Sequence, residues 1–279
     1  MSPIYTPGKL VLKKDSVAPG LLDAYGGAAA AYSLRRLSAN YTGPVVRVRR
    51  SSDSTEQDFT ATQVTDGTLT TFCGAGNGFV RTWYDQSTSG KNAEQATTAN
   101  QPQIVSNGAI LTALGKPVLS FDGANDSLTA STLIPTSSTA ISHFDVVTSV
   151  NYSITKDPGQ NEWGYRSLNT TSDSFRYGVV QLPNAYEAIA PTNPTLPFLG
   201  CGLFTRSGSI VTRVNGTQVA STATTAIDLR GAAGNVSIGV GAGSNFIAMN
   251  AQEVIIYLTN RSADASAIES NVNAHYAIY

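Results

Sequence analysis

Two large aromatic residues stand next to an acid and an amide in the stretch WYDQSTSGKNAEQAT, which runs from Trp83 to Thr97. Asp85 is a candidate catalytic acid or nucleophile here, because carboxylates often take those roles. In the alternative interpretation, Trp83 belongs to the core and the Asp85 carboxylate caps backbone N–H groups of the loop QSTSGK. We favour the structural role.

A second group of residues has the composition of a sugar-binding groove. Such grooves combine apolar ring faces with a few oriented polar groups. The middle of the chain contains a set of this kind, Glu162, Trp163, Tyr165 and Tyr177. The alternative is a loop that is packed by its own aromatic residues. Glycan binding by these four residues therefore remains one of two interpretations.

The segment FDGAND offers three oxygen-bearing side chains, Asp122, Asn125 and Asp126. Their spacing suits a calcium loop, but two carboxylates and one amide are too few ligands without backbone and distant donors. An Asx-turn, in which a side-chain oxygen accepts nearby backbone N–H bonds, is the favoured interpretation. Calcium is the weaker alternative, and the expected metal set is none.

Other metal ligands and cofactor motifs are scarce in this chain. The two histidines, His143 and His275, are far apart in sequence, and the two cysteines, Cys73 and Cys201, do not form a ligand pair. We therefore expect no zinc and no cofactor. Free cysteine is a commonly buried residue type, so two buried free thiols are favoured over one long-range disulfide.

Charge limits the classes of partner. The 18 basic and 19 acidic residues give a net charge of −1, which argues against binding to nucleic acid or to an anionic membrane. The one basic cluster, Arg47, Arg49 and Arg50, alternates with valines as one solvated strand face does, and the acids between positions 53 and 58 can pair with it. A net charge near zero also favours association, so we expect a homo-oligomer.

The elements that must position these residues are mostly strands. About a dozen short runs with period-2 alternation or turn signals between them, such as Val45–Arg50, predict an all-β, two-sheet sandwich of jelly-roll type. Helical spacing occurs in two places. We predict one helix within Leu21–Ser38 and another near the C-terminus, with Ser262 as N-cap and an apolar stripe ending at Tyr276.

The chain is expected to form an N-terminal arm of residues 1–19 and a single sandwich domain of residues 20–279. Its start, MSPIYTPGKLVLKKD, lacks the apolar stretch of a secretion signal. We therefore expect synthesis in a cytoplasm without export.

The segment Ala30–Gln101 resembles the first half of the catalytic β-sandwich of family 54 α-L-arabinofuranosidases. The resemblance rests on AAYSLRRLSANYTGPVVRVRRSSDSTEQDF and on FCGAGNGFVRTWYDQSTSGKNAEQAT. It implies a concanavalin A-like, laminin-G-like sandwich. In that family the YDQS segment is not the catalytic pair, which supports the structural role of Asp85.

The chemistry that the resemblance implies needs two carboxyls, and both family positions differ here. Where the family has its nucleophilic Glu, this chain reads HFDVVTSVNYSIT from His143 to Thr155, so the Phe-Asp pair is kept and the Glu is not. Where the family has its acidic Asp, the turn GVGAGSN places Gly243. We therefore expect that the chain is not an enzyme.

The function expected from these observations is structural. Modules of this type without a secretion signal are similar to those of phage tail-fibre and head-surface proteins. We expect a bacteriophage virion protein, either a capsid decoration or a tail-fibre component, which contacts itself and other virion proteins and which has host glycans as an additional candidate ligand. The alternatives are an arabinofuranosidase-type glycoside hydrolase whose acids have moved and a stand-alone carbohydrate-binding module.

Overall fold

The computed structural model describes residues 20–134, 138–147, 154–156, 165–167, 176–181, 184–192, 194–224, 234–240 and 246–279. The expected arm of residues 1–19 lies outside this part of the chain, so the division into an arm and one domain stays a prediction. The longest helix in the described part has 12 residues, and no helix there has both the length and the apolar character that crossing a membrane requires.

Strands account for most of the described elements. Those in the first part of the chain are β1 (Ala30–Ser33), β2 (Val46–Arg50), β3 (Glu56–Phe59), β4 (Gly78–Trp83), β5 (Ala93–Glu94), β6 (Gln103–Ser106), β7 (Ala109–Ile110), β8 (Thr112–Ala113), β9 (Lys116–Pro117) and β10 (Leu119–Asp122). Those in the second part are β11 (Leu128–Ile134), β12 (Ala140–Val147), β13 (Ile154–Lys156), β14 (Tyr165–Ser167), β15 (Arg176–Gln181), β16 (Asn184–Ile189), β17 (Phe198–Thr205), β18 (Ser209–Val214), β19 (Thr217–Ala223), β20 (Gly234–Ile238) and β21 (Ala248–Tyr257). The helices are α1 (Leu21–Ala24), α2 (Ala61–Thr65), α3 (Thr68–Cys73) and α4 (Ala265–Tyr276), with a 3-10 turn at Thr98–Asn100.

The strands confirm the predicted all-β sandwich. Sixteen of them form one antiparallel sheet with the main order β13-β20-β11-β5-β4-β6-β10-β21-β12-β17-β18-β19. One buried cluster collects side chains from both halves of this order, for example Val80 and Ile238 from one half and Ile141 and Phe204 from the other. The two halves therefore face each other as the layers of a sandwich, and β10 joins them by pairing with both β6 and β21.

A three-stranded sheet, β14-β15-β16, contributes to the same core. Tyr177 of β15 and Ala188 of β16 belong to the buried cluster that also contains Ile210 of β18. A second, smaller cluster lies where α1 and α4 cover the large sheet, and it includes Phe144, Leu199 and Ile268. Strands β12 and β17 are thus buried on both faces.

Strand β2 shows how the predicted alternation works. Val46 and Val48 are fully buried, while the Arg47 guanidinium reaches Asp58 on the neighbouring strand, with Nε 2.7 Å from Oδ1. Arg50 pairs with Asp53 at 2.6 Å. The predicted pairing with the acids just beyond the cluster is confirmed for Arg47 and Arg50. The prediction of one solvated face is wrong for Arg49, which is buried and whose Nε donates to Gln101 Oε1 at 2.8 Å.

The predicted helix within Leu21–Ser38 is wrong for most of its length. α1 ends at Ala24, Gly27 takes a left-handed φ of +80°, and β1 follows, pairing antiparallel with β21. All four residues of β1 are buried. A segment buried on both faces carries apolar residues without a strand period, so the helical spacing of its small and apolar residues was coincidental.

The C-terminal helix is confirmed as α4, with Ile268, Val272 and Tyr276 buried along one face. It begins after Asp264 rather than at the predicted N-cap Ser262. The sequence interpretation missed α2, although Thr60 and Gln63 form a capping box in which each side chain bonds the backbone of the other. Cys73 and Cys201 are both free and buried, as predicted.

Candidate functional site

Asp85 is a structural residue, as the favoured interpretation predicted. The residue is only 5% exposed. Its carboxylate accepts hydrogen bonds from the backbone N–H groups of Ala31 and Ser87 at 2.8 Å and of Lys91 at 2.9 Å. Trp83 is fully buried in the core. The stretch that looked most like a catalytic edge therefore holds the loop against β1.

A buried polar cluster lies on β12, where His143 and Asp145 share one strand face because they are two residues apart. His143 Nδ1 is 3.0 Å from Asp145 Oδ1. The Tyr177 hydroxyl donates to Asp145 Oδ2 at 3.2 Å, and the His143 and Tyr177 rings meet edge to face with centroids 4.6 Å apart. All three residues are at most 1% exposed.

The cluster joins the two sheets. Burial lowers the pKa of His143, and the neighbouring Asp145 carboxylate opposes that shift only in part, so the imidazole is neutral at pH 7. The Tyr177 backbone N–H donates to Thr212 Oγ1 at 3.3 Å, and the Thr212 hydroxyl donates to the Ala188 carbonyl at 2.6 Å. An imidazole–carboxylate pair of this kind resembles a catalytic dyad in composition, but its burial gives it a structural role between β12 and β15.

The segment FDGAND forms an Asx-turn. Asp122 Oδ1 accepts N–H bonds from Ala124, Asn125 and Asp126 at 2.7, 3.2 and 3.4 Å. Asp126 Oδ2 accepts the Asp122 N–H at 3.0 Å. The two carboxylates therefore close the turn on themselves, which occupies oxygens that a calcium ion would need.

The Asp126 carboxyl has a raised pKa, which is the property that a general acid needs. Asp126 is 7% exposed. Burial raises its pKa to about 6, and the negative charge of Asp122 acts in the same direction, against the lowering effect of the Asp122 N–H. A carboxyl with such a pKa holds its proton in weakly acidic solution, as general acids of glycosidases do.

The backbone of Asp126 lies beside Gly239, the residue that follows β20. Gly239 has a φ of +88°, and a Cβ added there would come within 2.9 Å of the Asp126 carbonyl oxygen and 2.4 Å of the Phe121 ring. Beyond it, Val240 pairs with Phe246 as an isolated bridge. Residues 241–245, including Gly243 at the family's acid position, lie outside the described residues.

The structure brings together only part of the predicted sugar-binding set. Glu162 and Trp163 lie outside the described residues, and Tyr165 is described only as a backbone position on β14. Tyr177 is fully buried and does not present its ring to solvent. Glycan binding by this set stays a prediction.

The sequence interpretation did not recognise the His143–Asp145 pair as a unit. The available signal was the pattern H-x-D within an apolar strand, because an i, i+2 spacing puts both side chains on one face. Within the residues that the structure describes, no group of three or more His, Cys, Asp and Glu side chains could hold a metal ion.

Comparison with known proteins gives a family model and a fold. The model described as "Alpha-L-arabinofuranosidase B, catalytic" matches residues 23–123. No curated protein matches the chain. Two solved structures of family 54 α-L-arabinofuranosidase, one soaked with a cyclic sulfate inhibitor and one a Glu-to-Gln mutant soaked with 4-nitrophenyl α-L-arabinofuranoside, align with TM-scores of 0.69 and 0.70 at 17% identity. A third, complexed with arabinofuranosyl-α-1,2-xylobiose, aligns with a TM-score of 0.66 at 16% identity.

These alignments cover 91% of this chain and 64% of each arabinofuranosidase chain. They confirm the resemblance and the sandwich fold. The prediction that the chain is not an enzyme is wrong, because the matching model is that of a catalytic domain. That prediction assumed that the acids must occupy the family's positions.

Proposed function

We propose that this chain is a glycoside hydrolase of the α-L-arabinofuranosidase type. The observation that carries the proposal is the match of the catalytic-domain model to residues 23–123. The proposed substrate class is a non-reducing α-L-arabinofuranoside, since two of the similar structures hold compounds of that kind.

The proposal assigns the role of general acid to Asp126. Glycosidases protonate the leaving-group oxygen with a carboxyl whose pKa is raised. Gly243 has no carboxyl, whereas Asp126, whose backbone carbonyl lies beside Gly239, has a side-chain pKa of about 6. A protonated Asp126 would donate its proton as the glycosidic bond breaks, and the resulting carboxylate would then activate water.

The second carboxylate is proposed to come from the segment between β13 and β16. This segment contains Asp157, Glu162 and Asp173. It follows Phe144-Asp145, the pair that this chain shares with the family. In the family, the nucleophilic Glu lies after that pair in the sequence. Asp145 itself is not assigned this role, because it is fully buried beneath Tyr177.

Turnover of two arabinofuranosides tests the proposed function, and comparison of the two substrates in a variant tests the assignment of Asp126 as the acid. We expect the full chain to hydrolyse 4-nitrophenyl α-L-arabinofuranoside and arabinofuranosyl-α-1,2-xylobiose, with a loss of kcat/KM above a pH of about 6. The sign follows from the role, because the acid must be protonated to act. Absence of turnover with both substrates, in a protein with an intact circular dichroism spectrum, would overturn the proposed function.

The variant Asp126→Asn tests the acid. It keeps the shape and the acceptor for the Asp122 N–H, and it removes the proton donor. We expect a loss of about 100-fold or more with the xylobioside, whose leaving group needs a proton, and a smaller loss with the nitrophenyl glycoside. The exposed Asp66→Asn is the matched control. Equal small losses with both substrates would overturn the assignment of Asp126 while leaving the function standing.

The virion role is less well supported than this alternative, because the comparisons favour a hydrolase and offer no link to a phage. Self-association, contact with virion proteins and a virion location stay predictions. Light scattering of the purified chain checks the first of them, and a monomer at micromolar concentration would contradict it.

A further inference from the structure

An open cleft lies away from Asp126, between the residues that follow β1, helix α2, the β8–β9 hairpin and the end of α4. Its volume is about 460 Å³, which is within the range of roughly 300–1,000 Å³ that is typical of small-ligand sites. Three basic residues, Arg35, Arg36 and Lys116, line it together with His275 and Tyr276 of α4.

The charges of the cleft are unbalanced. Arg35, Arg36 and Lys116 line it, and none of its described lining residues is acidic. Arg35 is neutralised from behind by Glu253, with Nε 2.7 Å from Oε2 and Nη2 2.9 Å from Oε1. The Glu253 side chain is only 1% exposed, so it does not face a ligand.

The other two cations are left for solvent or a ligand. Arg36 is exposed and makes no hydrogen bond or ion pair with the described residues. The nearby Asp23 carboxylate feels the charge of Arg36, but its oxygens accept bonds from Gly20, Ser38 and Ala39.

Lys116 is held in place by its hairpin. Gln252 is fully buried, and its Nε2 donates to the carbonyls of Ala113, Lys116 and Pro117 at 3.0, 3.3 and 3.3 Å. Leu114 has a φ of +52° and Gly115 of +68°, so the turn is tight. The fold thus positions a cation whose side chain pairs with no acid in the described part of the chain.

The pKa of His275 is affected by the same positive charges. Burial lowers its pKa to about 4, and the charges of Arg35 and Lys116 act in the same direction, against the charge of Glu253. The imidazole is therefore neutral at pH 7 and offers a polar edge beside Tyr276, whose ring lies 4.6 Å from it between centroids.

From this arrangement we propose that the cleft binds a small oxyanion, which is held by Arg36 and Lys116. The chemistry is shared by the carboxylate of an acidic sugar and by a phosphate group, since guanidinium and ammonium groups bind both. The site is independent of the proposed hydrolase activity, because none of its residues belongs to the Asp122–Asp126 turn.

Calorimetric titration of the full chain with sodium glucuronate and with inorganic phosphate at low ionic strength tests the proposal. Glucose is the neutral control. We expect saturable binding of at least one anion, in the range of about 1 mM or tighter, and none of glucose. Binding of glucuronate alone identifies an acidic sugar as the source, and binding of phosphate alone identifies a phosphate. Equal binding of glucose, or no saturable binding of either anion, would overturn the site.

The variants Arg36→Gln and Lys116→Gln should each weaken binding by about tenfold, because each removes one charge-assisted contact. Lys91→Gln, outside the cleft, changes the net charge by the same amount and should leave affinity unchanged. Nuclear magnetic resonance titration of His275 adds a site-specific measurement, in which the bound anion raises the imidazole pKa. A loss of affinity in Lys91→Gln equal to that in the cleft variants, or a His275 pKa that the anion leaves unmoved, would contradict the proposal.

Discussion

Replacement of Asp85 by Ala should destabilise the protein strongly. One carboxylate oxygen accepts the N–H groups of Ala31 and Ser87, and the other accepts the Lys91 N–H and the hydroxyls of Ser87 and Ser89, all at 2.7–2.9 Å. Five donors therefore depend on one side chain. The variant removes both acceptors and puts nothing in their place.

The magnitude follows from which donors water can reach after the substitution. Ala31 is fully buried, so its N–H loses a charge-assisted bond without replacement, at a cost of about 2–3 kcal/mol. Ser87, Ser89 and Lys91 lie at the surface or partly exposed, and water can compensate most of their loss, which leaves about 1–2 kcal/mol. The total is about 3–5 kcal/mol, or roughly 6–15 °C in Tm for a domain of this size.

Thermal unfolding followed by circular dichroism measures this effect. Asp85→Asn should lose about half as much, because an amide keeps one acceptor oxygen and presents N–H groups to Lys91. Ser87→Ala is the matched control, since it removes only one of the five donors, a partly exposed hydroxyl, and should cost under about 1 kcal/mol. A Tm of Asp85→Ala within 2 °C of the wild type, on the order of 1 kcal/mol or less, would show that the carboxylate does not organise the loop.

Three further substitutions test the buried charges. Glu253→Gln leaves the Arg35 guanidinium with a neutral partner in a buried site and should destabilise by about 3 kcal/mol in urea unfolding; a cost below 1 kcal/mol would contradict the role of the pair. Tyr177→Phe removes the hydroxyl that bonds Asp145 and should cost about 1–3 kcal/mol, with no loss expected if the bond is absent. Asp126→Asn should stabilise by on the order of 1 kcal/mol at pH 8 and by nothing at pH 4, after allowance for screening. Its sign follows from a folded pKa of about 6, above the ordinary value of 3.8, since stability falls as the pH rises through that window. A gain that is equal at both pH values would contradict it.

Strands were predictable where one face of the segment meets water. In β2, the buried Val46 and Val48 flank Arg47, which reaches Asp58 on the neighbouring strand, and that period is visible in the sequence. β1 was not predictable in this way, because both of its faces are buried. Its apolar residues carry no period of two, and only the pairing with β21, more than 200 residues away, decides its conformation.

The candidate site was predictable to a smaller extent. The role of Asp85 followed from its position before a small polar loop, because such a side chain finds its partners locally. Tyr177 was predicted to face a sugar, but its hydroxyl donates to Asp145. These two residues are 32 positions apart, so the sequence around either of them does not predict the contact. The raised pKa of Asp126 depends on its burial in the folded chain, which no local pattern encodes.

The family model and the proposed chemistry occupy different parts of the chain. The match ends at residue 123, one residue after β10, so it includes Asp85 and stops before Asp126. Asp85→Ala should therefore lower the Tm and reduce activity on both arabinofuranosides in proportion to the unfolded fraction. Asp126→Asn should keep or raise the Tm and selectively reduce hydrolysis of the substrate with the poor leaving group. If both variants lose stability and activity together, Asp126 has a structural role in the fold and the general acid must be another carboxyl.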